Sequence, residues 1–489
     1  MANGSTNLAD RVSKKFDKIV GIFSPKAMIK RAQFRAAYEA LDKHRTRTKR
    51  TQSGGTGDTH LTGDNLYELR EIQRDFMRNN PIVKGVLKTE RDEVAGIGPR
   101  IEARTADPGW NTAAEQLWKE QMVETPCDVT GRFNINQIFR MAFLAYRRDG
   151  DTAIIFLDDK LQMIEGDQIG TPQGISKAEY FDVTNGIAFD KKSLEVIGYY
   201  IGSPDKYGYI KASSYNKYLA DRVHFIFNPE RSSQSRGEPV LAASIKYIDY
   251  LDKYIDAEVV AAAVNACFCV FVKLKNPLGG MPSPYTKGSS SSGYDENNNR
   301  LEKLEPGIIQ YGEDFEDVKG IGNVRPGEMF DPFVMKILSF IFRPLCIPLM
   351  AISLDYSGAT FMNARIAYQQ AQKFWKVEQS DTIAPLASRT WKWFIERKIA
   401  AGVLSGRDDA FKREIICNRW PYVDPYKEAM SNKLELENGT TSRTRICSAK
   451  GEEFEDIVEQ REKEELLLKE KGLIAAAAGT NNTGVNNNG

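Results

Sequence analysis

Cysteine and histidine are scarce in this sequence, with six cysteines and three histidines among 489 residues. So few cysteines, in no ligand-spaced cluster, exclude a disulfide framework and favour a reducing compartment. Cys267 and Cys269 lie two residues apart without another cysteine or histidine nearby, so we interpret them as residues of an apolar strand. No histidine is paired with a nucleophile, and we predict no catalytic triad, metal site or cofactor.

The sequence also lacks nucleotide-binding loops and membrane-spanning segments. It contains no Gly-Lys pair, which a P-loop requires, so a P-loop ATPase is excluded. The segment "GIGPRI" at 96–101 lacks the third glycine of a dinucleotide-binding loop, and Pro99 would obstruct the helix start. No apolar run approaches about 18 residues, so no membrane contact is predicted.

A basic excess is missing as well. Lysine and arginine number 67 against 66 for aspartate and glutamate, which gives a net charge of +1. A protein that holds DNA by bulk charge needs a marked basic excess, so any DNA contact is expected to be local or transient. Material for burial is abundant, since 41% of the residues are hydrophobic and 10% are aromatic. At this length we expect a folded chain of several domains.

The first half of the chain mixes helical and strand patterns. Two helices are predicted between residues 64 and 95, separated by "NNP" at 79–81, and another from Asn134 to Arg148. Strand patterns follow at 153–157, 161–165, 196–201 and 223–227. The fold class is therefore α+β.

The second half is mainly helical in pattern. A long helix without internal glycine or proline is predicted from "GEPV" onward, over 238–266. Strands near 268–274, 307–311 and 316–319 surround a stretch rich in Pro, Gly, Ser and Asn, which predicts a small β-rich unit. An apolar helix over 327–348 follows it, and further helices are predicted after residue 361.

Several carboxylates lie close together in the first half: Asp149, Asp151, Asp158, Asp159 and Glu165. A two-metal nuclease needs such oxygen ligands to converge. These residues fall at predicted hairpin turns, where aspartate is favoured for backbone reasons, and we prefer that interpretation.

The segment "SLDYSGATFMNA" at 353–364 interrupts apolar helical sequence with small and polar residues. No lysine or arginine occurs from 349 to 364, and Asp355 would repel phosphate. A static DNA-binding site would have the opposite composition. The segment is therefore not expected to hold DNA statically.

Four ordered segments carry a resemblance to a known family: "RDFMRNNPIVKGVLKTERDEVAGIGPRIEA", "VHFIFNPERSSQSRGEPVLAASI", "ISLDYSGATFMNARIAYQQAQKFW" and "WPYVDPYKEAMSNKLELENGTTSRTRICSAKGEEFEDIVEQ". Together with the order of predicted elements, from about residue 60 to 465, they resemble bacteriophage portal proteins of the lambda-like family. The basic arm before residue 60, the insertion at 286–299 and the Asn-rich tail depart from the family and inherit nothing from it.

The resemblance implies a portal fold with an α+β wing, a helical stem, a small β-rich clip and a helical crown. Its parts are a basic N-terminal arm at 1–60, the wing at 61–237, a stem helix at 238–266, the clip at 267–326, a second stem helix at 327–348, a tunnel loop at 349–361, a long helix and wing helices at 362–435, crown helices at 436–475 and a disordered tail at 476–489.

The resemblance also implies a function without catalysis. It implies a ring of identical subunits, usually a dodecamer, at one capsid vertex of the virion, assembled in the host cytoplasm. Double-stranded DNA would be packaged and ejected through the ring, and the expected partners are the large terminase, neck or adaptor proteins, and the major capsid or scaffolding protein. The residues assigned to the channel are Ser353, Asp355, Tyr356, Ser357, Gly358, Thr360, Asn363 and Arg365.

Several alternatives stay open at this point. The stem residues Asp249, Asp252 and Asp256 either face the channel or pair with neighbouring subunits or water. Arg365 either steadies phosphates or is a solvated residue at a helix start. For the whole chain, a monomeric helical adaptor or scaffold and, less favoured, a metal-dependent packaging nuclease remain as other functions.

Overall fold

The structure is a computed structural model that describes residues 56–59, 61–172, 181–205, 209–267, 270–273, 309–312, 327, 329–358, 360–420, 425–450 and 454–471. The chain divides into two compact units, one formed by residues 1–243 with 344–489 and the other by residues 244–343. Nearly all of the predicted basic arm, the insertion at 286–299, the strand near 316–319 and the tail at 476–489 lie outside the described residues.

The first unit begins with two helices, α1 (Gly63–Asn79) and α2 (Pro81–Val94), as the sequence predicts. Asn80 separates them because its backbone is extended and its side chain accepts a hydrogen bond from the Val83 amide at 2.9 Å. Pro81 then occupies the first turn of α2, where its missing N–H would have no helical partner.

Two further helices complete this part of the unit, α3 (Pro108–Trp118) and α4 (Ile135–Asp149). A capping box between Asn134 and Gln137 starts α4. Its apolar face, which includes Ile138 and Phe139, is buried, and the helix contacts both α1 and α2. The position of the helix agrees with the sequence prediction.

The strands of the first unit form three antiparallel sheets. In chain order they are β1 (Arg100–Ala103), β2 (Asp151–Phe156), β3 (Leu161–Glu165), β4 (Phe181–Thr184), β5 (Ile187–Asp190), β6 (Val196–Pro204), β7 (Ile210–Leu219) and β8 (Val223–Phe227), with β11 (Arg413–Ile416) later. The sheet orders are β3-β2-β8, β4-β5-β6-β7 and β1-β11. One apolar cluster joins the first two sheets and includes Ile155, Ile164 and Tyr199.

The second unit contains α5 (Ile245–Cys267), β9 (Val270–Lys273), β10 (Ile309–Gly312) and α6 (Phe330–Ile341), and its two strands pair in parallel. Tyr254 of α5 packs on Phe330 and Phe333 of α6, with ring centroids 5.8 and 5.0 Å apart. The Ser244 hydroxyl donates a hydrogen bond to the Ile341 carbonyl at 2.7 Å, which ties the start of α5 to the end of α6.

The described residues of the first unit after residue 348 are mainly helical, with β11 as a strand among them. The helices are α7 (Leu349–Ser353), α8 (Phe361–Glu378), α9 (Ala384–Ala400), α10 (Pro425–Glu437), α11 (Arg443–Lys450) and α12 (Phe454–Glu470). A π-helical turn, Gln379–Ile383, joins α8 to α9. Pro385 itself lies in the first turn of α9, so the interruption between the two helices is this wide turn rather than a proline kink.

Three predicted boundaries are wrong. The helix predicted from residue 238 starts at Ile245, because Arg236 and Gly237 are held by hydrogen bonds to Asp151. The helix predicted over 327–348 is α6, which ends at Ile341 before Pro344. The loop predicted over 349–361 begins only at residue 354, because residues 349–353 form α7. Among the described residues, no helix is long and apolar enough to cross a membrane.

A buried ionic cluster lies where α4 passes into β2. Asp151 is fully buried and accepts hydrogen bonds from Arg70 at 2.9 Å and from Arg236 at 2.7 and 2.9 Å. Burial alone would raise the pKa of the Asp151 carboxyl, but the two arginines outweigh it and hold that pKa below its usual value. Asp149 is buried beside it and pairs with Arg74 at 2.9 Å.

Two glycines permit the close approach that this cluster requires. Gly150 has a φ of +90°, and a Cβ placed on it would lie 2.5 Å from the carbonyl oxygen of Gly237. Both the backbone conformation and the contact therefore demand glycine at position 150. The hairpin-turn interpretation is wrong for Asp149 and Asp151, because Asp149 ends α4 and Asp151 begins β2, and arginine pairing is the physical reason for these carboxylates.

We expect Asp151→Asn to lower the free energy of unfolding by about 3–5 kcal/mol, because Arg236 would stay buried without its anion and Arg70 would keep only Asp167. The asparagine keeps the side-chain volume, so no cavity contributes to the loss. Chemical denaturation measures the effect. Asp158→Asn is the matched control, since Asp158 is 86% exposed, and an equal loss in both variants would contradict the assignment.

A second buried cluster joins α2, α4 and α8. Arg147 donates to Glu90 at 2.6 and 3.1 Å and to Glu378 at 3.3 Å. One guanidinium thus serves two buried carboxylates. Burial raises the pKa of Glu90 to about 7 against the opposing effect of Arg147, and burial also raises the pKa of Glu378.

This cluster predicts a pH dependence. Because the folded-state pKa of Glu90, about 7, lies above its unfolded value of 4.5, the stabilisation from its proton is complete below pH 4.5 and is lost as pH rises through 7. Glu90→Gln cannot titrate. Wild-type stability should fall relative to this variant by about 2–3 kcal/mol between pH 5 and pH 8. Denaturation of both proteins at the two pH values tests this, and a difference independent of pH would contradict it.

Candidate functional site

The candidate site is the loop between α7 and α8, residues 354–360, of which all but residue 359 are described. Leu354 ends α7 in the left-handed conformation, with a φ of 55°, which is uncommon for a residue other than glycine. Its side chain is 73% exposed. The hydroxyl of Ser353, the last residue of α7, donates to the Leu349 carbonyl at 3.1 Å. The loop therefore departs from a closed helical turn directly into solvent.

Short polar side chains within the loop hold its backbone. The Asp355 carboxylate accepts a hydrogen bond from the Ser357 amide at 2.9 Å, and the hydrogen bonds from Ser357 hold the pKa of this exposed carboxyl below its usual value. No atom lies within 4 Å of the place where a Cβ on Gly358 would stand. The loop thus presents an ionised carboxylate and open backbone at neutral pH.

The end of the loop is the start of α8. The Thr360 hydroxyl accepts a hydrogen bond from the Asn363 amide at 3.3 Å and caps the helix. Asn363 is exposed, and Arg365 is half-buried without an ion pair to any other residue that the structure describes. Arg365 is therefore a cation within two helical turns of the loop, with its charge available.

Tyr356 of the loop interacts with Tyr368 of α8. Burial and this interaction raise the pKa of Tyr368 to about 12. Tyr368 in turn packs edge-on against the buried Trp375, with ring centroids 6.4 Å apart. Sequence analysis missed Tyr368, because its place in a helical pattern predicts only a packing role.

Large apolar side chains are exposed on and beside the loop. Tyr356 is 50% exposed, and Met362 and Ile366, four residues apart on one face of α8, are 59% and 56% exposed. Sequence analysis missed these two α8 residues as well. Their spacing was visible in the sequence, but only the structure shows that this face is uncovered within the chain.

The predicted stem residues lie in the other unit. Asp249 and Asp256 are exposed on α5, and Asp252 is half-buried and engaged in an interaction. The same helix exposes Tyr247, Tyr250, Val259 and Val260. The exposed surface of α5 is therefore mixed acidic and apolar rather than uniformly acidic.

The carboxylates considered for a metal-dependent nuclease are engaged otherwise. Asp149 and Asp151 are paired with arginines, and Asp158 and Asp159 are 86% and 95% exposed at the β2–β3 turn. Across the described parts of the chain, no group of three or more His, Cys, Asp or Glu residues is arranged to hold a metal ion. The geometry gives this alternative no support.

The chain is similar over most of its length to a protein from a marine bacteriophage. It is 24% identical over 448 residues to a probable portal protein of Halomonas phage phiHAP-1, and the alignment covers 86% of this chain and 85% of the phage protein.

Some solved structures to which the chain is similar come from gene transfer agent particles. A chain in the neck of an empty particle, computed with C6 symmetry, has a TM-score of 0.42 at 14% identity, and the match covers 78% of this chain and 93% of that one. A chain in the neck of a native particle, computed with C12 symmetry, has a TM-score of 0.39 at 14% identity, covering 76% and 91%. At these scores the likeness carries no argument about assembly.

A family model settles the relationship that the four sequence segments suggested. The model of the lambda family of phage portal proteins matches residues 43–379, which is more than half of the chain and includes the loop and the whole of α8. This chain belongs to the lambda family of phage portal proteins.

Proposed function

We propose that the chain forms a closed ring of identical subunits, a dodecamer as in the family, with residues 354–360 lining a channel for double-stranded DNA. The portal role itself follows from membership of the family, and portal proteins are structural rather than catalytic. The observation that carries the proposal about the loop is an exposed segment with a free carboxylate and without lysine or arginine from 349 to 364.

Exposed apolar faces support the ring. In the second unit Val259 and Val260 of α5 are 63% and 62% exposed, and Phe340 of α6 is 59% exposed. Single apolar side chains on a surface are ordinary, but a series on two neighbouring helices marks an interaction surface. Identical subunits that meet through two different surfaces close into a ring when the rotation allows.

The charges in and beside the loop favour passage of DNA over tight binding. Lysine and arginine bind DNA by neutralising phosphates and releasing counterions, so a loop without them does not hold the duplex. Asp355 adds repulsion, and Arg365 offers the nearest cation to steady the phosphates. Repeated around a ring, each contribution would act in every subunit, and small polar side chains contact DNA of any sequence equally.

The remaining assignments of the family complete the proposal. Residues 61–237 form the wing, residues 267–326 the clip and residues 436–475 the crown, and Asp249, Asp252 and Asp256 belong to the stem. The clip meets the large terminase and later the neck or adaptor proteins, and the outer surface meets the major capsid or scaffolding protein. The ring sits at one vertex of the virion after assembly in the host cytoplasm.

The ring is tested by electron microscopy and sedimentation of the purified full-length protein. We expect closed rings with a central hole, and we expect Val260→Glu combined with Phe340→Glu to shift the protein to smaller species, since buried apolar contacts would meet new charges.

The matched control for that experiment introduces the same two charges at exposed polar positions, Asn216→Glu with Asn438→Glu, and should leave rings intact. A wild-type protein that stays monomeric at high concentration, or a small complex without a hole, would instead support a monomeric adaptor.

The loop is tested by reversing its charge. Asp355→Lys should leave ring assembly unchanged but slow DNA packaging by about tenfold at low salt, because each subunit would now attract phosphate. Raising the salt concentration should restore part of the rate. Packaging with the cognate terminase measures the effect.

Asp182→Lys makes the same charge change at an exposed carboxylate of β4 and serves as the control. Normal packaging by Asp355→Lys at low salt, with rings still formed, would remove the loop from the channel while leaving the ring proposal standing.

A further inference from the structure

An open pocket of about 540 Å³ lies between β11 and α9 in the first unit, and nothing in the portal role uses it. Its lining combines cationic, hydroxyl and apolar side chains: Arg104, Ser388, Phe411, Lys412, Arg413 and Ile415. Arg413 and Ile415 are two residues apart on one strand, so they share a face of the sheet. β11 thus places a cation beside an apolar side chain.

Arg413 is half-buried, and its hydrogen bonds go only to neutral groups. Its Nε donates to the Ser388 hydroxyl at 3.0 Å, its Nη2 contacts the same hydroxyl, and its Nη1 donates to the Phe411 carbonyl at 2.6 Å. A guanidinium has five N–H groups, two of them on each terminal nitrogen. One N–H on Nη1 and one on Nη2 therefore remain for an acceptor.

The charge of Arg413 is not compensated within the described part of the chain, where no carboxylate pairs with it. Partial burial of this charge lowers the pKa of the Arg413 guanidinium. Lys412, next to it, is exposed and likewise forms no ion pair with a described residue. By contrast, Arg104 at the rim is paired with Glu414 at 2.7 Å and with Glu102 at 2.5 Å.

Arg413 and Lys412 determine which kind of ligand the pocket would bind. A carboxylate has the geometry to take both remaining N–H groups of a guanidinium and is the usual partner of such a site. A carboxylate paired with Arg413 would offset the cost of partly burying the charge of its guanidinium. Lys412 would add a second, more mobile cation for a neighbouring acidic group.

The apolar part of the lining selects among anionic partners. Phe411 and Ile415 offer a surface that a phosphate backbone cannot use, because duplex DNA presents charged and polar groups at its outside. The net charge of +1 supplies no broad positive field that would attract DNA to this place. A polypeptide can present a carboxylate and an apolar side chain together.

We propose that this pocket is a docking site for an acidic segment of a partner protein, which inserts a carboxylate onto Arg413 and Lys412 and an apolar side chain against Phe411 and Ile415. The site does not depend on the ring or on the loop. Its partner is a protein that carries aspartate or glutamate next to an aromatic or aliphatic residue.

Fluorescence anisotropy with the full-length protein tests the site. The probe is a short fluorescein-labelled peptide of Asp-Phe-Glu repeats, at about 0.15 M ionic strength. We expect Lys412→Gln with Arg413→Gln to weaken its binding by about tenfold or more, since the charged hydrogen bonds are lost. Lys84→Gln with Arg78→Gln removes the same charge from exposed positions and should change affinity less than about twofold.

Two further peptides test the cationic and the apolar parts of the pocket separately. Replacing the acids by Asn and Gln, or the phenylalanines by serine, should each weaken binding to the wild-type protein. If Arg413→Gln impairs folding, Lys412→Glu alone should still weaken binding, because Lys412 is exposed.

The proposal is overturned by any of three results: no binding of the acidic peptide to the wild-type protein, equal losses in the pocket and control variants, or stronger binding of labelled duplex DNA than of the peptide. Ring formation by the pocket variants is recorded in parallel. Rings that persist while peptide binding is lost separate this site from the assembly of the portal.

Discussion

The first unit depends on one fully buried carboxylate, Asp151, which pairs with Arg70 and Arg236. Arg236 also donates to the carbonyl oxygens of Gly166, Ile169 and Asn185, at 2.6, 2.8 and 3.0 Å. A charge buried without its partner is costly, so these contacts form together or not at all. They bring α1, β2 and the segment that leads to α5 to one point.

The contacts of Asp151 also determine where the chain leaves the first unit. Because Arg236 and Gly237 are fixed against Asp151, the chain leaves the first unit at a defined place before α5 begins at Ile245. It returns after α6, and α7 then leads into the loop. The second cluster, Arg147 with Glu90 and Glu378, fixes the far end of α8. The loop is therefore the exposed part of a segment whose far end is anchored by packing and charge. Its exposure is a property of the fold.

Local signals in the sequence predict much of this structure. Asn80 and Asn134 have the residue type and spacing of helix caps, and the helices they begin are found where the patterns place them. The composition of the loop could likewise be read directly, because the absence of lysine and arginine and the presence of Asp355 are sequence facts. The resemblance of four segments to one family supplied the portal role, and the family match agrees with it.

Contacts between distant residues could not be predicted in this way. Arg70 and Asp151 are 81 positions apart, and no periodicity marks them as partners. The same holds for the neutral hydrogen bonds of Arg413, which depend on the approach of α9 to β11. Leu354 in a left-handed conformation also contradicts local preference, and residues 349–353 were predicted as loop although they form α7. In each case tertiary packing outweighs the local signal.

We propose that duplex DNA passes the loop at residues 354–360. The most direct measurement replaces Tyr356 with the photo-crosslinker p-benzoylphenylalanine and irradiates particles stalled during packaging. The same replacement of Tyr209, which is 73% exposed between β6 and β7, is the comparison. We expect crosslinks to DNA from position 356 and none from position 209. Crosslinks from 209 alone, or none from 356 in particles that hold DNA, would contradict it.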